Sequence, residues 1–218
     1  MTVSINFQLP RVATQDDPLR LAILISGSGS GMDALINYQK QNKCAHITTL
    51  VLSNNDDVTG ISKAEKHGIN TEVVALIQGM GRKTHEEIIH EKLISNGVEA
   101  VILSGYMRIL SPTFVNKWEG RLLNIHPSLL PNFPGAHAHR DALNAGAIKS
   151  GCTVHFVDNG VDSGLIIAQS ETKISSEETV NSLQEKIKKL EHVLYPTVID
   201  AFSEGRLEID GANKVILK

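Results

Sequence analysis

The chain has 218 residues, 41% hydrophobic and 21% charged, so it is built like an ordinary folded domain and needs no metal or disulfide staple to hold a core. Its formal charge of -3, from 21 Lys and Arg against 24 Asp and Glu, excludes the basic face of a nucleic-acid binder but not a small anion held by local groups. Two isolated cysteines, Cys44 and Cys152, exclude a Cys-x-x-Cys zinc or redox motif and suit a reducing cytoplasm, and no apolar run approaches the ~20 residues of a membrane span.

Residues 1–19 lack the apolar stretch of a secretory signal and are read as an exposed arm or an added strand. From residue 20 onward, short apolar runs alternate with amphipathic stretches, the signature of βαβ units and a mostly parallel sheet. The first strand is Arg20–Ser26, followed by Gly27-Ser28-Gly29-Ser30-Gly31 and a helix with Met32, Leu35 and Ile36 on one face. A second strand spans His46–Ser53, and a short helix covers Ile61–His67 with Gly68 at its C′ position. A third strand covers Thr71–Ala75. The next helix is expected to open with a capping box at Thr84-x-x-Glu87 and to end at Asn96-Gly97. Strands four and five are Ala100–Ser104 and Leu122–His126; strands six and seven are Thr153–Val157 and Leu165–Ser170, joined by a turn over 158–164. The last helix carries Val180, Leu183, Ile187, Leu190 and Leu194 at spacings of 3 and 4, with Pro196 expected to kink it or end its first part. No linker interrupts residues 20–218, which form one domain: an α/β, Rossmann-like open twisted sheet of about seven strands with helices on both faces.

Three constellations carry chemistry. A strand running into Gly27-Ser28-Gly29-Ser30-Gly31 and then a helix exposes backbone N–H groups at the positive end of the helix dipole, a phosphate site. It lacks the Lys of an ATPase loop, and Ala34 stands where a dinucleotide fingerprint has its third glycine. The second is Asn124-Ile125-His126-Pro127-Ser128-Leu129-Leu130-Pro131. Asn124 and His126, two apart in a strand, point to the same face at the carboxyl end of strand five, where open α/β sheets bind ligands. An amide donor beside an acid–base group suits addition to a carbonyl, the amide stabilising the oxyanion and the imidazole managing protons. The third is a carboxylate in the turn before strand seven, Asp162 or, equally by composition, Asp158, that would orient the imidazole. The turn Gly105-Tyr106-Met107-Arg108-Ile109-Leu110 follows strand four at the same edge; its apolar members suit a flat ring and Arg108 a carboxylate. His137 and His139 lack a companion metal-ligand set, so no metal is expected, and Lys186, Lys188 and Lys189 read as a solvated face.

These four stretches, in their order along the chain, resemble the phosphoribosylglycinamide formyltransferases, a branch of the folate-dependent formyltransferases; the likeness runs from about residue 20 to about residue 210. The resemblance implies formyl transfer from 10-formyltetrahydrofolate to the amine of glycinamide ribonucleotide in purine (IMP) biosynthesis. It implies Asn124, His126 and Asp162 as the catalytic trio, and Gly29, Ser30, Gly31 and Glu191 as contacts of the ribonucleotide and its phosphate. It further implies a folate site built from Arg82, Met107, Arg108, Ile109, Leu110, Asn124, Val157, Asp158 and Asp162, with Arg82 on a loop of variable length. The segment Pro131–His139 resembles a loop that orders with ligand or pH. Two positions depart from the pattern: Gly31 stands where Asn is common, losing a side-chain bond, and Ala136 where Leu is common. The partners implied are these small molecules, with no nucleic acid and no membrane, and the chain a monomer or homodimer. Transfer to another amine, hydrolysis of the donor by water, and a catalytically silent phosphate- or folate-binding module are the competing readings.

Overall fold

In a computed structural model, residues 7–212 and 214–218 are described. β1 (Leu19–Ile25), β2 (His46–Ser53), β3 (Asn70–Val73), β4 (Ala100–Leu103), β5 (Leu122–His126), β6 (Lys149–Phe156) and β7 (Ile166–Lys173) form one sheet in the order β3-β2-β1-β4-β5-β6-β7. The pairs from β3 to β5 are parallel, whereas β6 runs antiparallel to both β5 and β7. The strand order reverses between β1 and β4, and it is beside such a switch point that a crevice opens at the carboxyl ends of the strands.

Alternation along each central strand feeds two cores. Leu21, Ile23, Ile25, Ile102 and Leu123 face α1 (Ser30–Gln41) and α6 (Val180–Ser203), with Ala64 of α2 (Thr59–Lys66) on the same side. Ala22, Leu24, Val101, Leu103 and Leu122 face α3 (Arg82–Ser95) and α4 (Pro112–Lys117), where Phe114 and Trp118 fill the layer. Strands buried on both faces explain why these runs are almost wholly apolar. A polar hub ties three elements together on the first side. Gln39 donates to His46 Nδ1 (2.8 Å) while its carbonyl accepts from the Thr48 N–H (3.2 Å), so His46 carries its proton on Nε2 and donates it to Asp200 (3.0 Å). Tyr38 donates to the other Asp200 oxygen.

Several elements differ from the sequence-based expectations. The third helix has no capping box: it starts at Arg82 with Gly81 as its N-cap, so Thr84 already lies in the first turn. Burial of His85, whose Nε2 donates to the Val74 carbonyl (2.6 Å), draws the helix start forward. The side-chain capping box is instead at Thr179 and Ser182 of α6. Pro196 does not end α6, which continues to Ser203. Tyr195, Val198 and Ile199 pack into the core around it, and that burial outweighs the ~3 kcal/mol that an interior proline costs. β6 begins four residues earlier than expected, at Lys149, and α4, α5 (Ala138–Asn144) and a terminal hairpin of β8 (Leu207–Ile209) and β9 (Val215–Leu217) are additional. Within the expected N-terminal arm, residues 1–6 lie outside the described residues. The rest carries no strand before Leu19 and lies against the domain: the Phe7 ring meets Phe156 edge-on at 5.1 Å, and the Ala13 N–H donates to the Ser203 carbonyl (2.8 Å). Among the described residues no helix is long and apolar enough to cross a membrane.

Candidate active site

A cavity of about 670 Å³ opens above the carboxyl ends of β1, β4 and β5. The glycine loop forms one wall. Gly29 is the N-cap of α1 with φ +62°, a left-handed conformation that glycine adopts without strain. The first helical bond runs from the Asp33 N–H to the Gly29 carbonyl, which leaves the N–H groups of Ser30, Gly31 and Met32 outside the helical ladder. α2 braces the loop from behind: the Gly60 N–H donates to the Gly27 carbonyl (3.2 Å), and Lys63 Nζ donates to the Ser28 carbonyl (2.9 Å). Ser26 Oγ accepts from the Met107 N–H (2.8 Å), locking the loop after β4 to the loop after β1.

Asn124 and His126 do share a face of β5, while Ile125 enters the core beneath. His126 is 4% exposed, and its two ring nitrogens face two acceptors. Nε2 donates to the Phe133 carbonyl (2.9 Å), and Nδ1 lies 3.3 Å from Asp162 Oδ2. A doubly protonated ring therefore has both N–H groups paired. The structure also separates the two candidate carboxylates. Asp158 holds its own turn, accepting from the Gly160 N–H (3.1 Å) and from Ser163 Oγ (2.9 Å). Asp162 reaches the imidazole from a residue with φ +50°, a conformation aspartate tolerates better than most. Its turn is pinned from below at Gly164, where a Cβ would fall 1.8 Å from the Phe156 carbonyl oxygen. Asp162 Oδ2 also accepts from the Gly135 N–H (2.7 Å).

His155, which no sequence motif singles out, is the cross-strand partner of Asn124 in the β5–β6 ladder. Its Nδ1 lies 2.8 Å from the Phe156 carbonyl, which can only accept, so Nδ1 carries the proton. Burial lowers the His155 pKa and keeps the ring neutral, so Nε2 is an acceptor. Asn124 must then present its NH₂ group, which lies 3.2 Å from His155 Nε2 and 3.5 Å from Asp162 Oδ1. The antiparallel β6 supplies this neighbour; a parallel reading of the sheet hides it.

Gly29, Ser30, Gly31, Met107, Arg108, Ile109, Leu110, Asn124, His126, Val157, Asp158, Asp162 and Glu191 all line the cavity. Arg82 does not: it is the first residue of α3 and stands apart from the lining. Lys188 lines the cavity, so it does not belong to a purely solvated face. His139, in the segment that resembles a ligand-ordered loop, lines it, and so does Ser104, which was not singled out as a ligand contact. Met107 and Val161 are 70% and 50% exposed, an apolar lip on an otherwise polar cleft. Burial pushes the Glu191 carboxyl up to about 7, against a smaller opposing pull from Lys188, and burial lowers His139.

Residues 19–199 match the formyl transferase family. The chain is 39% identical to the phosphoribosylglycinamide formyltransferase of Escherichia coli K12 over 88% of its own length and 90% of that protein's. It is 42% identical to the trifunctional purine biosynthetic protein adenosine-3 of Gallus gallus, covering 94% of this chain but only 20% of that protein. Among solved structures, glycinamide ribonucleotide transformylase 1 of Symbiobacterium toebii superposes with a TM-score of 0.88 at 37% identity, over 92% of this chain and 94% of that one. The phosphoribosylglycinamide formyltransferase of Brucella melitensis gives 0.81 at 40% identity, over 86% and 96%. The family match over residues 19–199, with the sequence match to the Escherichia coli protein and the structural match to the Symbiobacterium toebii protein covering most of both chains, establishes that this chain belongs to the formyl transferase family, in its phosphoribosylglycinamide formyltransferase branch.

Proposed function

We propose that the chain transfers the formyl group of 10-formyltetrahydrofolate to the amine of N1-(5-phospho-D-ribosyl)glycinamide in purine biosynthesis. The observation that carries this reading is the meeting of Asn124, His126 and Asp162 at one cavity that also holds the glycine loop. The folate supplies a formyl carbon already bonded to a nitrogen that can leave. The apolar lip of Met107 and Val161 suits its flat ring, and Arg108 suits its carboxylates. The glycine loop holds the ribonucleotide phosphate on backbone N–H groups, and Glu191 accepts hydrogen bonds from the same substrate.

As the amine nitrogen bonds to the formyl carbon, negative charge gathers on the formyl oxygen. The Asn124 NH₂ group, presented by neutral His155, and the protonated His126 ring stabilise that charge. His126 meets the oxygen by exchanging its Phe133 acceptor for it. Asp162, facing Nδ1, orients the ring and takes part in passing the amine's proton to the departing folate nitrogen. The new C–N bond forms, the old one breaks, and one proton moves from the amine to the folate.

The test is a spectroscopic formyl-transfer assay with glycinamide ribonucleotide, water and other amines as acceptors. Ribonucleotide-dependent turnover is expected; release of formate without an amine, or preference for another amine, overturns the acceptor assignment. A pH dependence follows from Glu191. Its carboxyl ionises near 7, and the anion is the better acceptor, so the ribonucleotide KM should fall as pH rises through about 7. Glu191→Gln should raise that KM and remove this limb of the profile, which KM measurements from pH 6 to 8.5 check.

A further inference from the structure

Gly31 lacks a side chain for a reason that its backbone does not supply. It sits in the first turn of α1, and its φ is not among the positive values found at other glycines of the chain. A Cβ built at position 31 would fall 2.6 Å from Ser104 Oγ, and 3.9 Å from Ser104 Cβ. The hydroxyl oxygen alone therefore occupies the space that a residue-31 side chain would take. Ser104 follows directly on β4, and its N–H donates to the Leu24 carbonyl (3.0 Å), so the main chain holds it in register with β1. It is 7% exposed and lines the cavity. Among the described residues, no side chain or backbone group pairs with its hydroxyl. The hydroxyl is open to the cavity beside the three N–H groups that α1 leaves outside its ladder, placed to donate to an anion that those groups hold.

We propose that Ser104 Oγ–H is a specificity-determining ligand of the substrate phosphate, donating to an oxygen that the Ser30 and Gly31 N–H groups also hold. This rests on the reading of the glycine loop as the phosphate site of a ribonucleotide. The pair Gly31 and Ser104 then works as a unit: the hydroxyl enters from β4, and the missing Cβ on α1 makes room for it. A hydrogen bond to a charged group sets the expected scale, a ~10-fold or larger loss of affinity when the hydroxyl is removed.

The experiment compares Ser104→Ala with the parent chain on two acceptors, glycinamide ribonucleotide and its dephosphorylated riboside, and measures the affinity of both proteins for inorganic phosphate by calorimetry. Expected are a ~10-fold rise in the ribonucleotide KM with kcat and donor KM unchanged, no change in kcat/KM for the riboside, and a ~10-fold weaker phosphate Kd. Gly31→Ala alone should also raise the ribonucleotide KM, and Ser104→Ala/Gly31→Ala should be less impaired than the sum of the two, because the overlap has gone. An unchanged ribonucleotide KM in Ser104→Ala overturns the proposal, as does an equal loss with ribonucleotide and riboside, which would make Ser104 a spacer for the loop. Failure of the parent chain to formylate any glycinamide acceptor overturns the formyl-transfer reading instead. In that event the phosphate calorimetry still decides the role of Ser104: an equal Kd in both proteins refutes it, and a weaker one in Ser104→Ala upholds it.

Discussion

Replacing His126 by Ala should lower turnover ~10²–10⁴-fold while the fold survives, the usual scale for a positioned acid–base group. The fold survives because β5 is held by fully buried Leu122 and Leu123, neither of which lines the cavity. Asp162 also keeps its bond from the Gly135 N–H when the ring is gone. Asp162→Asn should act on the same scale for a different reason. Asparagine accepts φ near +50° as readily as aspartate, so the turn keeps its shape and only the charge facing His126 Nδ1 is lost. The neutral amide can neither pair with charge on the ring nor take up a proton, so the relay is cut. Steady-state kcat at saturating substrates, with thermal unfolding to confirm the fold, checks both variants. Near-normal kcat in either would sink the role assigned to that residue.

Gly29→Val should raise the ribonucleotide KM ~10–100-fold and leave the donor KM close to that of the parent chain, since a branched residue in left-handed backbone costs ~1–3 kcal/mol. Space compounds the conformational cost. A Cβ at position 29 would stand 3.1 Å from the Gly60 Cα, a backbone atom of α2 that cannot swing aside, and 3.1 Å from the Met32 Cε, which can. The loop must leave its φ of +62°, and the N–H groups of Ser30 and Gly31 turn with it. The proposed donor contacts lie on the loops after β4 and before β7, and the bond that ties the first of these to the loop after β1 is made at Ser26, three residues ahead of Gly29. Equal increases in both KM values would show that the loop does not hold the phosphate.

The fold was legible where local pattern and burial agree. β2 and β5 stand where the periodicity puts them, and Gly68 and Gly97 take positive φ just past their helices. The pattern failed where distant contacts outweigh local preference, as at Pro196, at the start of α3 and in the extension of β6. A capping signal is worth about 1 kcal/mol, less than burying one large side chain, so Thr84-x-x-Glu87 lost to the packing of His85 and its neighbours.

The site divides along the same line. The sequence by itself determined the glycine loop and the shared face of Asn124 and His126, because each resides in a short run whose geometry follows from strand and helix periods, and four such motifs in chain order carried the family resemblance. Only the tertiary structure brought Asp162, which the resemblance implied but composition could not tell from Asp158, to His126, set His155 behind Asn124, left Arg82 outside the cavity and pressed Ser104 against Gly31. Those relations join residues 31 to 73 positions apart, through strand register and loop packing. Side-chain chemistry tells what a group can do, but the partner it meets depends on how the whole sheet closes around it.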